Sequence, residues 1–204
     1  MMWLDQLEQL NRALFLLINA ASQPGPVMMP LAVFAANGLI WLIPAMLVVG
    51  WLSGHGAIRR LALEAALAGV LGLLISQVVS LALPHERPFV MGLGQTWIEH
   101  APDNSMPSDH LTLLWSVACS FLLNPSARRL GAALWLAGLP VAWARIYLGV
   151  HFPLDMLGAL LVSFLSAAIC MQQRERAVAL VFNLALRVYR LVFSPLIAQH
   201  WLRR

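Results

Sequence analysis

His151 and Asp155 stand four residues apart, with Pro153 between them. Proline suits the first turn of a helix, and in that turn a carboxylate at 155 reaches back to one imidazole nitrogen of residue 151. Such a contact fixes the tautomer and leaves the other nitrogen free as a nucleophile. His110, in the run Pro107-Ser108-Asp109-His110, supplies a second imidazole able to donate a proton to a leaving oxygen. Arg87, in His85-Glu86-Arg87-Pro88, and Arg145 can clamp phosphoryl oxygens through paired, charge-assisted hydrogen bonds. Pro107 and Ser108 stand where a helix should begin, and the free N–H groups of a helix start attract anions. A nucleophile with its orienting acid, a proton donor and two cations make a full set for phosphoryl transfer without metal.

The elements that must position these residues are membrane helices. Hydrophobic residues make up 60% of the 204 and charged residues only 11%, against about 25% charged in soluble domains. A chain so apolar cannot clothe a water-facing surface. The expected fold is all-α and polytopic, a bundle of about six transmembrane helices with an amphipathic C-terminal tail. Apolar segments run over 4–21, 27–52, 59–83, 107–123, 129–149 and 153–171. The first is the weakest, interrupted by Asp5, Glu8, Arg12 and Asn19, and either spans or lies partly in the interface. Asn37-Gly38 and Pro44 predict a kink in the second. Glu64, four residues after Arg60, is its expected helical partner. One transmembrane domain over 1–173 and an interfacial tail over 174–204 follow.

All 13 basic residues are arginine, and the net charge is +4. They cluster at the ends of apolar runs, which fits topology and anionic lipid; a nucleic-acid partner is not expected. Arg59-Arg60, Arg128-Arg129 and Arg174/Arg176 mark connections that must share one side, the cytoplasmic one by the positive-inside rule. The polar stretch 84–106 and the short 149–152 link then face outward, carrying the chemistry with them. Ionisable groups at membrane depth cost about 2.5–3.5 kcal/mol each on insertion scales, so a functional role is the default.

These clusters resemble the three motifs of the type 2 phosphatidic-acid phosphatase superfamily, Lys-x6-Arg-Pro, Pro-Ser-Gly-His and Ser-Arg-x5-His-x3-Asp. Arg87-Pro88 matches the end of the first, and residues 107–110 match the second with Asp109 for Gly. Arg145, His151 and Asp155 match the third, with Ala144 for Ser. Ser80 replaces the Lys, so His85 or a different posture of the substrate has to compensate for a missing cation. The wording Pro-His-Glu-Arg-Pro-Phe and Gly-Val-His-Phe-Pro-Leu-Asp-Met-Leu-Gly is similar to the bacitracin-resistance branch of undecaprenyl-diphosphate phosphatases. That resemblance implies hydrolysis of a polyprenyl diphosphate through a phosphohistidine, and bacitracin resistance, at the bacterial inner membrane with the site toward the periplasm. It implies catalytic His151, His110 and Asp155, and phosphate contacts from Arg87, Arg145, Ser108, Asp109 and His85.

Other residues read more plainly. Glu86, Glu99, His100 and Asp103 are expected on a solvated loop surface. Cys119 and Cys170 lie inside apolar runs as buried thiols, and no metal ligand spacing or cofactor motif is present. No positive patch precedes a cleavable apolar core, so no cleaved signal peptide is expected. A transporter would also gather His, Asp and Arg at one face, but should carry polar groups through the midplane, where these spans are almost wholly apolar.

Overall fold

The computed structural model describes residues 2–53 and 55–202. Four helical segments are long and apolar enough to cross a bilayer, namely Met28–Leu52, Gly56–Ala82, Arg128–Tyr147 and Pro153–Gln172, with Asp109–Leu123 a shorter fifth. The protein is a multi-pass, all-helical membrane protein. Its elements are α1 (Met2–Ile18), α2 (Met28–Val33), α3 (Leu42–Ser53), α4 (Gly56–Ala82), α5 (Asp109–Leu123), α6 (Arg128–Tyr147), α7 (Pro153–Gln172), α8 (Ala179–Val192) and α9 (Ser194–Ala198). α2 and α3 form one crossing, interrupted by a π turn over Phe34–Gly38 and a 3-10 turn over Leu39–Trp41. The irregularity sits at the Asn37-Gly38 pair that predicts it.

α5 is the centre of the bundle, packed between α4, α6 and α7. Small residues let these helices approach closely. Gly72 of α4 faces the hydroxyls of Ser116 and Ser166, which bond each other at 3.0 Å. Ser163 Oγ donates to the Thr112 carbonyl at 3.0 Å. The serine hydroxyls at mid-bundle are therefore neutral and tied across helices, a helix-to-helix glue rather than an ion path. Beneath the polar end lies a core of Phe15, Leu111, Leu114, Val117, Ile146 and Phe152.

The two ends of the bundle differ. At one, Glu64 takes Arg60 at 3.4 Å and Arg174 at 2.7 Å, the expected helical pair plus a second cation. Arg59, buried, donates to the Trp51 carbonyl at 2.9 Å and the Tyr189 hydroxyl at 3.0 Å. Its guanidinium also lies 4.4 Å from the Tyr189 ring centre. The amphipathic α8 is thereby docked onto the bundle rather than left as a free tail.

At the other end α1 takes the interfacial posture. Glu8 meets His85 at 3.3 Å, Asn11 accepts from the Leu154 amide at 3.0 Å, and Asn19 donates to the Tyr147 carbonyl at 3.1 Å. All three partners sit at the same end of the bundle, so eleven residues of helix, about 16 Å, run across that end instead of through it. Phe15 and Asn11 face inward, while Trp3, Leu7, Leu10, Leu14 and Leu17 form an exposed apolar stripe.

Candidate active site

Each member of the cluster is held by a helix end. α5 begins at Asp109 with Ser108 at its cap, so Pro107-Ser108 does mark a helix start. α4 runs six residues past Ser76, about 9 Å, and Ser76 Oγ bonds Asp109 at 2.6 Å. The start of α5 is therefore recessed below the end of α4. Arg145 lies in the last turn of α6. Gly149, with φ of +85° and the Gln95 carbonyl where a Cβ would stand, turns the chain toward α7. The turn delivers His151 just ahead of Pro153, the first residue of α7.

Asp155 organises the ring of His151, the expected nucleophile. Its Oδ2 lies 3.1 Å from His151 Nδ1, accepts from the Phe152 amide at 2.8 Å, and takes the Ser105 hydroxyl as a third donor. With Nδ1 committed to the carboxylate, Nε2 is the nitrogen that faces the site. Arg87 Nη1 sits 3.2 Å from that Nε2 and 2.9 Å from the Val150 carbonyl. His151 and Asp155 are each 1% exposed. Burial, outweighing Asp155 and helped by the fields of Arg145 and Arg87, pushes the His151 imidazole down to about 4. It is uncharged at neutral pH, as a nucleophile must be.

The cations are arranged around an unfilled demand for an anion. Arg87 spends its Nε on Asp103 at 2.8 Å and its Nη2 on the Asn104 carbonyl at 3.3 Å. Arg145, 2% exposed, buries Nε and Nη2 with no hydrogen-bond partner, and the Ser108 hydroxyl beside the α5 start is likewise unpartnered. Donors buried without acceptors are costly, by about 1–3 kcal/mol each and more when charged. His110, second residue of α5, lies within electrostatic reach of Arg145, His151, His100 and Arg87.

Two candidate phosphate contacts have other partners. His85 packs edge-on against Phe152, ring centres 5.2 Å apart, and turns its Nε2 to Glu8 at 3.3 Å. Asp109 accepts from Ser76 and from Gln77 Nε2 at 3.2 Å; as an acceptor-only carboxylate it pins α5 to α4 rather than attracting an anion. Two loop residues expected at a solvated surface join the site instead. Asp103, though 61% exposed, carries the Arg87 ion pair, and the His100 ring centre lies 6.1 Å from that of His151. Asn104 and Ser105, with no signal in the sequence, tie the loop to Ser80 and Asp155. Among the described residues, no three His, Cys, Asp or Glu side chains are grouped to hold a metal.

Residues 57–179 match the PAP2 superfamily. The chain is 41% identical over 202 residues to an Escherichia coli (strain K12) protein named "Putative undecaprenyl-diphosphatase YbjG", covering 97% of this chain and 99% of that one. It is 30% identical over 187 residues to undecaprenyl-diphosphatase BcrC of Bacillus subtilis (strain 168), covering 92% and 95% of the two chains. In fold it is similar to the crystal structure of Aquifex aeolicus LpxE, with a TM-score of 0.61 at 22% identity over 80% of this chain and 95% of that one. The family match takes in more than half the chain and every residue of the cluster from Arg87 to Asp155, and the protein belongs to the PAP2 superfamily.

Proposed function

We propose that this protein is a phosphatase that hydrolyses undecaprenyl diphosphate, or a prenyl diphosphate of similar length, to the monophosphate and inorganic phosphate. The observation that carries this is the buried, unpartnered donor set of Arg145 and Ser108 beside a neutral His151 held by Asp155. Donors fixed in place before substrate arrives, in a water-poor site, stabilise the charge of a transferring phosphoryl group most effectively. The names of the two relatives support the choice of lipid. Release of carrier lipid for reuse in wall synthesis, and resistance to bacitracin, follow from that substrate.

The test is phosphate release by purified protein given prenyl diphosphate, prenyl monophosphate and phosphatidate in parallel. A phosphate monoester leaves more easily than an alkoxide, so kcat/KM for the diphosphate is expected to exceed that for phosphatidate by roughly tenfold or more, about 1.4 kcal/mol of barrier. Phosphatidate as the better substrate would overturn the assignment of the lipid.

The site is proposed to face the periplasm across the bacterial inner membrane. Arginine accumulates at the opposite end, around Arg59, Arg60, Arg128, Arg129 and Arg174. Single cysteines at Gln95 and Ser126, in a protein lacking Cys119 and Cys170, report this directly. In intact cells an impermeant thiol reagent is expected to label position 95 and spare position 126. The reverse pattern would turn the protein over.

A further inference from the structure

Ser80 leaves the site one cation short of the family pattern, and the structure shows what the position does instead. Its carbonyl accepts from Asn104 Nδ2 at 2.8 Å, which anchors the 84–106 loop and brings no charge. His85 cannot make up the deficit from where it stands, committed to Glu8 and Phe152. The loop residue that does approach the nucleophile is His100. Its ring stands at 77° to that of His151 with centres 6.1 Å apart. A reacting atom sits about 3–3.5 Å from its nucleophile, and a hydrogen bond adds about 2.7–3.0 Å. With the P–O bond added these reaches exceed 6.1 Å, so His100 flanks the terminal phosphate rather than standing across it from His151, beside the line along which the lipid-side phosphate extends.

The tautomer is fixed as well. His100 Nδ1 is 3.1 Å from the Ala101 carbonyl, an acceptor, so Nδ1 carries the proton and Nε2 is left for a ligand. Asp103 Oδ1 lies 3.7 Å from the same Nδ1 and is the oxygen that holds Arg87 Nε at 2.8 Å. One carboxylate thus sets both the guanidinium and the imidazole. The ring is only partly covered, its side chain 21% exposed, as suits a group on the entry side.

We propose that His100 determines specificity for diphosphates, its Nε2 binding the lipid-side phosphate while Arg87, Arg145 and Ser108 hold the terminal one. This rests on the phosphatase reading above and names the residue that reads the second phosphate. In the free protein, burial and the fields of Arg87 and Arg145 keep the His100 imidazole below its ordinary range, against the Ala101 carbonyl and the Asp103 carboxylate. The added negative charge of a bound diphosphate opposes those fields and draws a proton onto Nε2, so that the ring then serves as the missing cation.

The experiment measures kcat/KM for a prenyl diphosphate and for the monophosphate of the same prenol, in wild type, His100→Ala and His100→Gln. In His100→Ala the diphosphate-to-monophosphate ratio is expected to fall roughly tenfold or more, the loss of one charged hydrogen bond to substrate. His100→Gln keeps a neutral donor and is expected to recover part of that ratio. An unchanged ratio in both variants would overturn the proposal while leaving the phosphatase intact. If His100→Ala loses both activities, the glutamine variant decides: a wild-type ratio there also overturns it. A wild-type protein that hydrolyses neither lipid takes the phosphatase reading down, and this inference with it.

Discussion

Alanine at position 151 is expected to lower kcat by roughly 10³-fold or more while substrate still binds. Phosphate-ester hydrolysis unaided is among the slowest of reactions, and a catalyst must lower its barrier by something on the order of 20 kcal/mol. Splitting the displacement in two is how a fixed imidazole contributes. In the first step of the proposed mechanism the Nε2 lone pair of His151 forms a bond to the terminal phosphorus. The bond from that phosphorus to the bridging oxygen breaks, and its electron pair stays on the departing prenyl phosphate, which takes a proton from His110. In the second step water attacks the phosphohistidine, His110 accepts its proton, and the P–N pair returns to Nε2. Arg87, now 3.2 Å from Nε2, has to pass from the nitrogen to an equatorial oxygen as the phosphate enters.

Two further observations separate this route from direct attack by water. His110→Ala, given a substrate whose leaving group needs no proton, is expected to stall with an acid-labile phosphate on His151, read by mass spectrometry. Phosphate on another residue, or near-normal turnover by His151→Ala, would end the mechanism. The acid limb of kcat/KM is the second. On this mechanism activity requires unprotonated His151, which burial holds near 4 rather than at the ordinary 6.5. Activity controlled by that group therefore persists as pH falls below 6 and is lost only through about 4.

Arg145→Met is expected to move activity and stability in opposite directions. The guanidinium is buried, two of its nitrogens have no partner, and Arg87 stands close enough to repel it. Asp109 and Asp103 lie within electrostatic reach and offset this only in part, and an apolar side chain of similar length removes the buried, unpaired donors. The variant should melt higher than the wild type, by roughly 2–4 °C for each kcal/mol recovered in a protein of this size. Its kcat/KM should fall by roughly 10²–10³, the usual cost of one donor aimed at a developing oxyanion. Inorganic phosphate should raise the melting temperature of the wild type and leave that of Arg145→Met nearly unmoved. A variant that melts lower, or still responds to phosphate as the wild type does, would show that Arg145 is a structural arginine.

What could be read from the sequence follows from periodicity. His151 and Asp155 were visible as a pair because a helix sets residues four apart on one face, and Pro153 said where that helix starts. The Pro107-Ser108 start of α5 was visible for the same reason. The loop over 84–106 has no period, so nothing in its order announces that Asp103 reaches Arg87, Ser105 reaches Asp155, or His100 leans toward His151. His85 stands two residues from Arg87, yet its ring goes to Glu8 and Phe152 while Arg87 goes to Asp103 and His151, a separation set by partners distant in sequence. The sequence of α1 fits two postures for another reason. Glu8 and Asn11 weaken a transmembrane helix and equally mark the inner face of an interfacial one, and only partners some 77 and 143 residues away choose between them.

The posture of α1 bears on how the protein enters the membrane. α1 lies at the site end and α8 at the arginine end, so an odd number of crossings separates them. With the site outward, the stretch carrying α1 has to be carried across during insertion, ahead of the first span. Its residues suit that passage: Asp5 and Glu8 outweigh Arg12 over positions 2–27, so the membrane potential pulls the segment outward rather than holding it back. The span behind it, Met28–Leu52, has a mean hydropathy of 2.1 over its most apolar stretch, ample to drive transfer. On the proposed orientation, α1 is a translocated, weakly acidic segment that stays in place as the helix capping the site.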